Sequence, residues 1–300
     1  MGSTPLKIIA AILIPLIIAV IIRLSNRDPD KVTDKNLNPM EKAGKNDSSG
    51  ERSVKVLTTW LLPDVLKEIS GISRIDADHF ACVQDERGKV FIYNIRTSSI
   101  DKEIAFAGKG DYEGIAIAGQ NMYILQANGS IFEISNYTKT DPSVKLYKTH
   151  LSKKQDSESL AFDKKNNRLL IAVKSGELDG PDYKGIYAFD LRTKTMNTKP
   201  VFRIDLRDPV FGDEKSPGNA IHPSDMEVHP ATGYIYIIEG TKPKLLILKP
   251  DGVVQSLFKL KGNEFSQPEG ISISPEGLIY ISNEGNDNPG NILLVELDVN

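Results

Sequence analysis

Cysteine is nearly absent: one residue, Cys82, in a chain of 300. That excludes an intrachain disulfide and a structural zinc site built on several cysteines. Cys82 lies inside the apolar run HFACV and reads as a small buried strand residue. An excess of one charge sign is lacking too. The formal net charge is −3 and the Lys and Arg residues are scattered, so no basic stripe for nucleic acid stands out. The sequence has no P-loop, no dinucleotide fingerprint and no G-x-S-x-G elbow, which removes the usual sequence grounds for those chemistries. His222 and His229 flank Asp225, and a Ser-His-Asp set can be drawn with Ser224; both histidines precede proline and read more simply as turns.

Long hydrophobic runs are lacking except at one place. Ile8 to Ile22 is unbroken, with Lys7 before it and Arg23 after it. The run is shorter than the roughly 20 residues that span a bilayer. Leu6 and Leu24 extend it, and the basic flanks can snorkel. It ends Ala19-Val20-Ile21-Ile22-Arg23, without the small-residue pattern of a cleaved signal, and no cysteine comes after it for lipoprotein processing. Residues 1–25 are therefore expected to form a signal anchor and single transmembrane helix, with a cleaved signal peptide as the rival reading. Basic residues on both sides leave the orientation open, and export of the C-terminal domain is the usual behaviour of such a signal. Residues 26–52 are rich in Asp, Lys, Asn, Ser and Gly and almost free of apolar residues; they read as a flexible polar linker reaching about 30 Å.

The remainder of the chain is a repeat. Ser70-Gly71-Ile72, Glu113-Gly114-Ile115, Glu158-Ser159-Leu160, Ser224-Asp225-Met226 and Glu269-Gly270-Ile271 succeed one another at steps of 43, 45, 66 and 45 residues. After each comes a second strand-like run (HFACVQ, NMYILQ, RLLIAV, YIYIIE, LIYISN) and a third (KVFIYN, SIFEIS, GIYAFD, KLLILK, NILLVE). A period of roughly 40–50 residues carrying several strands marks a β-propeller blade. Residues 53–300 are thus expected to form an all-β, five-bladed β-propeller. The 66-residue step is explained by extra loops at 176–183 and 208–223. The fifth repeat lacks an outermost strand, and Val54–Trp60 belongs to no other blade, so that N-terminal strand is predicted to close the ring and remove its exposed edges. Gly beside the motif residue reads as tight packing near a narrow axis.

Propeller topology puts the start of each innermost strand, and the loop between second and third strands, on one face. Ser70, Glu113, Glu158, Ser224 and Glu269 are therefore predicted to converge at one mouth of the channel. Asp85, Glu86, Asn128, Lys174, Asp225, Glu239, Asn283 and Glu284 face that mouth as further binding candidates. Carboxylates gathered in a partly dry channel repel and raise one another's pKa, and a bound cation relieves that cost. Glu113, Glu158 and Glu269 are the candidate metal ligands. An oxygen-only donor set of flexible carboxylates points to a hard cation, Ca²⁺ before Mg²⁺. The alternative is that these glutamates cap backbone N–H groups or pair with Lys174.

The stretches EISGIS, FACVQDERGKVFIYN, GDYEGIAI, DSESLAFD, HPSDMEVHPATGYIYII and QPEGISISPEGLIYISNEG resemble the SdiA-regulated family of bacterial envelope proteins, from about Leu57 onward. The resemblance implies a five-bladed propeller distantly related to NHL repeats, in which Glu113, Glu158 and Glu269 match the acidic positions and Ser70 and Ser224 the serines. It implies bound calcium, known for one member, and a place in the cell envelope; no defined activity comes with it. Ser159 and Asp225 stand where the family usually has glycine. The combined expectation is a single-pass protein of the bacterial plasma (inner) membrane with a calcium-binding propeller facing the periplasm, acting as a binding module for a small-molecule or protein ligand. The alternative is a metal-dependent hydrolase of phosphoesterase or lactonase type, with Glu86, Glu239 or Glu284 as base.

Overall fold

The computed structural model describes residues 52–176, 180, 182–212 and 220–298. The expected anchor, nearly all of the linker and parts of both extra loops lie outside these residues. Among the described residues no helix is long and apolar enough to cross a membrane.

The described chain opens with β1 (Ser53–Leu61) and continues as five antiparallel sheets. The first blade holds β2 (Ile69–Arg74), β3 (His79–Gln84), β4 (Arg87–Asn94) and β5 (Ser99–Lys109). The second holds β6 (Tyr112–Ala118), β7 (Asn121–Gln126), β8 (Ile131–Ser135) and β9 (Ser143–Tyr147). In the third, β10 (Ser157–Asp163), β11 (Arg168–Val173) and β12 (Tyr183–Asp190) precede two short pieces, β13 (Thr195–Met196) and β14 (Phe202–Asp205), which both pair with β12. The fourth is β15 (Asp225–Val228), β16 (Ile235–Glu239), β17 (Lys244–Leu248) and β18 (Val254–Lys259). The fifth is β19 (Pro268–Ile273), β20 (Ile279–Asn283) and β21 (Asn291–Asp298), completed by β1.

The closure predicted from the sequence is present. β1 lies antiparallel to β21, from Ser53 opposite Asp298 to Leu61 opposite Asn291, with an irregularity between Val56 and Thr58. Trp60 reaches back to Tyr280 at 6.2 Å between ring centroids, and Tyr93 of the first blade donates to the Leu61 carbonyl at 2.9 Å. The first and last blades are therefore joined through side chains as well as through the ladder.

The core lies between blades. Strands buried on both faces read as continuous apolar runs, and β3, β7, β11 and β16 do so. Ile72, Phe80, Phe91 and Tyr93 of the first blade pack with Tyr280 and Ile292 of the fifth. Each such side chain contributes roughly 1.5–3 kcal/mol by burial. Close approach at the axis explains the motif glycines. A Cβ on Gly114 would sit 2.8 Å from Leu160 Cβ, and one on Gly71 would sit 3.0 Å from the Glu113 carbonyl oxygen.

Candidate functional site at the mouth of the ring

The first motif residue is placed by a backbone irregularity that the spacing alone did not reveal. Pairing along the innermost strands skips Ser70, Glu113, Glu158 and Glu269: Ile69 pairs with Gln84 and Gly71 with Val83, and the same one-residue slip recurs in the second, third and fifth blades. A bulge of this kind leaves its extra residue unpaired and re-aims the side chain. The slip sits at the entry end of each innermost strand, beside the turn between second and third strands. Two of those turns are stitched to the next blade's entry: Tyr112 N–H donates to Asp85 O at 2.9 Å and Ser157 N–H to Ala127 O at 3.0 Å. In the fifth blade the turn bonds its own entry, Glu284 N–H donating to Gln267 O at 2.9 Å.

At this mouth the three motif glutamates interact electrostatically. Burial, then the charges of Glu158, Asp111 and Glu269, push the Glu113 carboxyl up to about 10. Its neutral form is hydrogen-bonded to Asp111. Burial pushes Glu158 up to about 8 although Lys174 pulls the other way; Lys174 Nζ donates to Glu158 Oε1 at 2.7 Å. Glu269 is raised by burial, against hydrogen bonds from Gln267 and Ser224 and the charge of Lys174. Gln267 Nε2 donates to Glu269 Oε1 at 3.0 Å and also to Glu284. Lys174 is held charged by Glu158, Glu269 and Asp156, which outweigh its own burial. Asp85 and Glu284 are half-buried and both raised, first by burial and then by acidic neighbours that include Glu68.

The remaining expected mouth residues divide in two. Glu86 is exposed in the β3–β4 turn, and Asn128 is half-buried with its amide spent on Gln126 and Ser130. Others are sealed. Ser70 gives its hydroxyl proton to the Tyr112 carbonyl at 2.6 Å, and Ser224 Oγ accepts from Gly240 N–H at 3.0 Å. Glu239 is 0% exposed; it accepts from His222 N–H at 3.0 Å and faces Lys244 Nζ at 3.2 Å. That pair is cross-strand, Glu239 lying opposite Lys244. Asn283 is equally buried and donates to Asn291, which is also its cross-strand partner. Asp225, 1% exposed, belongs to the interior: Oδ1 accepts from Leu160 N–H at 3.4 Å and Oδ2 from Ile271 N–H at 3.0 Å. It ties the third, fourth and fifth innermost strands together, and so is a structural clasp rather than part of an open mouth.

The donor set at the mouth is all oxygen, as a hard cation requires. Among the described residues, however, no group of three or more His, Cys, Asp and Glu side chains is disposed to hold a metal ion. Glu158 is drawn to Lys174 and Glu269 to Gln267 instead.

The opposite end of the axis, which the motif did not single out, also opens into a cavity. A cavity of about 790 Å³ is lined there by the far ends of the innermost strands, including Ser73, Ala116, Glu227 and Ser272. One sequence signal pointed to it: Glu227 is a lone charged residue at a position where the other blades carry Ser or Ala.

No family model matches this sequence, and no curated protein matches it. Among solved structures, glutaminyl cyclase of Myxococcus xanthus superposes with a TM-score of 0.55 at 15% identity, covering 83% of this chain and 97% of that one. The PQQ-bound aldose sugar dehydrogenase of Streptomyces coelicolor gives 0.50 at 12% identity, covering 83% and 99%. At such identities the likeness carries the fold alone. Five four-stranded sheet paths around one axis, closed by an N-terminal strand and matched by these neighbours, make the chain a five-bladed β-propeller.

Proposed function

We propose that this chain is a membrane-anchored, extracytoplasmic binding module whose axial mouth takes a hard cation, Ca²⁺ first, and presents that face to a small-molecule or protein ligand. The observation that carries the reading is the set Glu113, Glu158 and Glu269: carboxylates at equivalent blade positions, Glu158 buried and the other two half-buried, each raised first by burial and then by acidic neighbours, with Lys174 as the cation opposing Glu158 and Glu269. Such an arrangement costs stability unless positive charge is supplied. A divalent ion supplies it once Glu158 is released from Lys174. The resemblance to the SdiA-regulated envelope family supports the same reading, as do the apolar run at residues 8–22 and the polar segment behind it. Of the three bases the hydrolase alternative names, Glu239 is spent on Lys244 and His222, Glu284 is bonded to Gln267, and Glu86 is exposed on the β3–β4 turn.

The test is a thermal melt of the full chain with Ca²⁺ and with chelator. Ca²⁺ is expected to raise the melting temperature of the wild type, and the double variant Glu113→Gln, Glu158→Gln to lose the shift. A wild type indifferent to Ca²⁺ would remove the cation from the reading. Fractionation of cells and protease accessibility of the propeller from the periplasmic side check the anchor and its orientation.

A further inference from the structure

The second and fourth residues of each innermost strand, counted from the motif, lie on one side of the strand, because side chains two apart share a face. At the second position the five blades carry Gly71, Gly114, Ser159, Asp225 and Gly270; at the fourth, Ser73, Ala116, Ala161, Glu227 and Ser272. Four blades thus place only small residues beside the axis, and the fourth blade places a carboxylate at both levels. Asp225 is accounted for as a clasp. Glu227 is not: it is half-buried on the cavity wall, its Oε1 accepts only from the adjoining Val228 N–H at 2.9 Å, and among the described residues no basic side chain bonds it. The small neighbours Ser73, Ala116 and Ser272 leave open the space in front of it.

The rim of the same cavity has the opposite character. Lys164 and Lys165 lie exposed on the turn after β10, and Arg74 lies at the end of β2, its side chain bonded to Tyr280 and near the charge of Glu276 while its buried Nε keeps no partner. The other charged groups facing the cavity are committed. Asp163 accepts from Arg168 Nε at 2.8 Å and from Asn166, and His229 Nδ1 accepts from Ala231 N–H at 3.2 Å. The same cavity is also lined by the apolar residues Ile117, Phe162, Ile273 and Phe202. A pocket with apolar walls and a few fixed polar groups is the usual form of a small-ligand site. Here the fixed groups specify both ends of the ligand.

We propose that this cavity binds a small zwitterion of amino-acid or short-peptide type, its ammonium group against Glu227 and its carboxylate against Lys164, Lys165 and Arg74, with an apolar side chain between. The site is separate from the motif mouth and does not depend on a cation there.

Calorimetric titration of the full chain, in chelator, with glycyl-leucine, L-leucine, isoamylamine and 4-methylpentanoate tests this. One of the two zwitterions is expected to bind saturably, and the two singly charged compounds at least about tenfold more weakly. Glu227→Gln, nearly isosteric, is expected to lower the zwitterion's affinity roughly 10- to 100-fold. Lys164→Ala with Lys165→Ala, both at exposed positions, is expected to weaken binding at an unchanged melting temperature. Binding in Glu113→Gln, Glu158→Gln is expected to equal that of the wild type. Failure of both zwitterions to bind overturns the proposal, as does undiminished binding by Glu227→Gln or equal affinity for isoamylamine.

Discussion

Replacing Glu113 by Gln should stabilise the cation-free propeller, by an amount that depends on pH. In the folded chain burial and the neighbouring Glu158, Asp111 and Glu269 raise this carboxyl from 4.5 to about 10. At neutral pH the folded state therefore holds a proton that the unfolded state has released. A group whose folded pKa is raised gives its full contribution below the unfolded value and loses it as pH rises toward the folded value. One pKa unit corresponds to about 1.36 kcal/mol, so between pH 4.5 and pH 7 the wild type forfeits about 3 kcal/mol through this residue alone. Residual solvent contact at the mouth screens the interaction and brings the expectation to about 2–3 kcal/mol. Glutamine has nearly the same shape and cannot ionise, so the variant escapes the loss. Urea unfolding in chelator at pH 4, 5.5, 7 and 8.5 measures it: the two proteins should be nearly equal at pH 4, and the variant should gain steadily above pH 5. A gap that does not change with pH, or a variant less stable at pH 7, would refute the argument. With Ca²⁺ present the order should reverse, since only the wild type has the charge the ion needs.

Asp225→Ala removes the acceptor for Leu160 and Ile271 N–H. Leaving two buried donors unsatisfied should cost about 2–4 kcal/mol in urea melts, with Asp225→Asn recovering part of it; a loss below about 0.5 kcal/mol would show that the clasp carries nothing. Deleting residues 53–61 exposes the edge of β21 and removes Trp60 from Tyr280. It should lower the melting temperature far more than deleting residues 26–51, and equal losses for the two deletions would contradict ring closure.

The architecture was legible because its signal is periodic and its punctuation strong. In the first blade the runs HFACVQ and KVFIYN match β3 and β4 to within two residues at each end. The third blade adds a piece that was not expected: besides the outer strand β14, the short β13 also pairs with β12. Lys199-Pro200 lies between β13 and β14, and proline has no N–H to give to β12; pairing resumes at Val201, whose N–H donates to Ile186 O at 2.7 Å. The site was less legible, because a topological argument places residues at an end of the ring without saying what each side chain is spent on. The Glu239–Lys244 and Asn283–Asn291 pairs were in principle readable, since each spans a hairpin whose register fixes the partners. The bulge that turns out Glu113, Glu158 and Glu269 was hard to read, because it shifts the alternation by one residue at the very start of each strand, where only one paired residue precedes it.

The motif counted blades by what they share, whereas the chemistry of the axis arises where one blade differs. Innermost strands have one edge without a β partner, so their N–H groups toward the axis need acceptors. Four blades meet this region with Gly or Ser at the second position, and these supply no carboxylate. Asp225 alone serves N–H groups of both neighbouring blades, at 1% exposure. Along the chain, Asp225 lies between Ser224 at the acidic mouth and Glu227 at the cavity. An ion at Glu113, Glu158 and Glu269 and a ligand at Glu227 would thus sit at opposite ends of the innermost strands. Asp225 ties together three of the five strands that run between the two ends, so its substitution should couple a defect at one end to the other while Glu227→Gln leaves the Ca²⁺ shift intact. Calorimetry and melts on those two variants separate the cases: a Ca²⁺ shift lost in Glu227→Gln would mean that the axis is open and that the ends form one site.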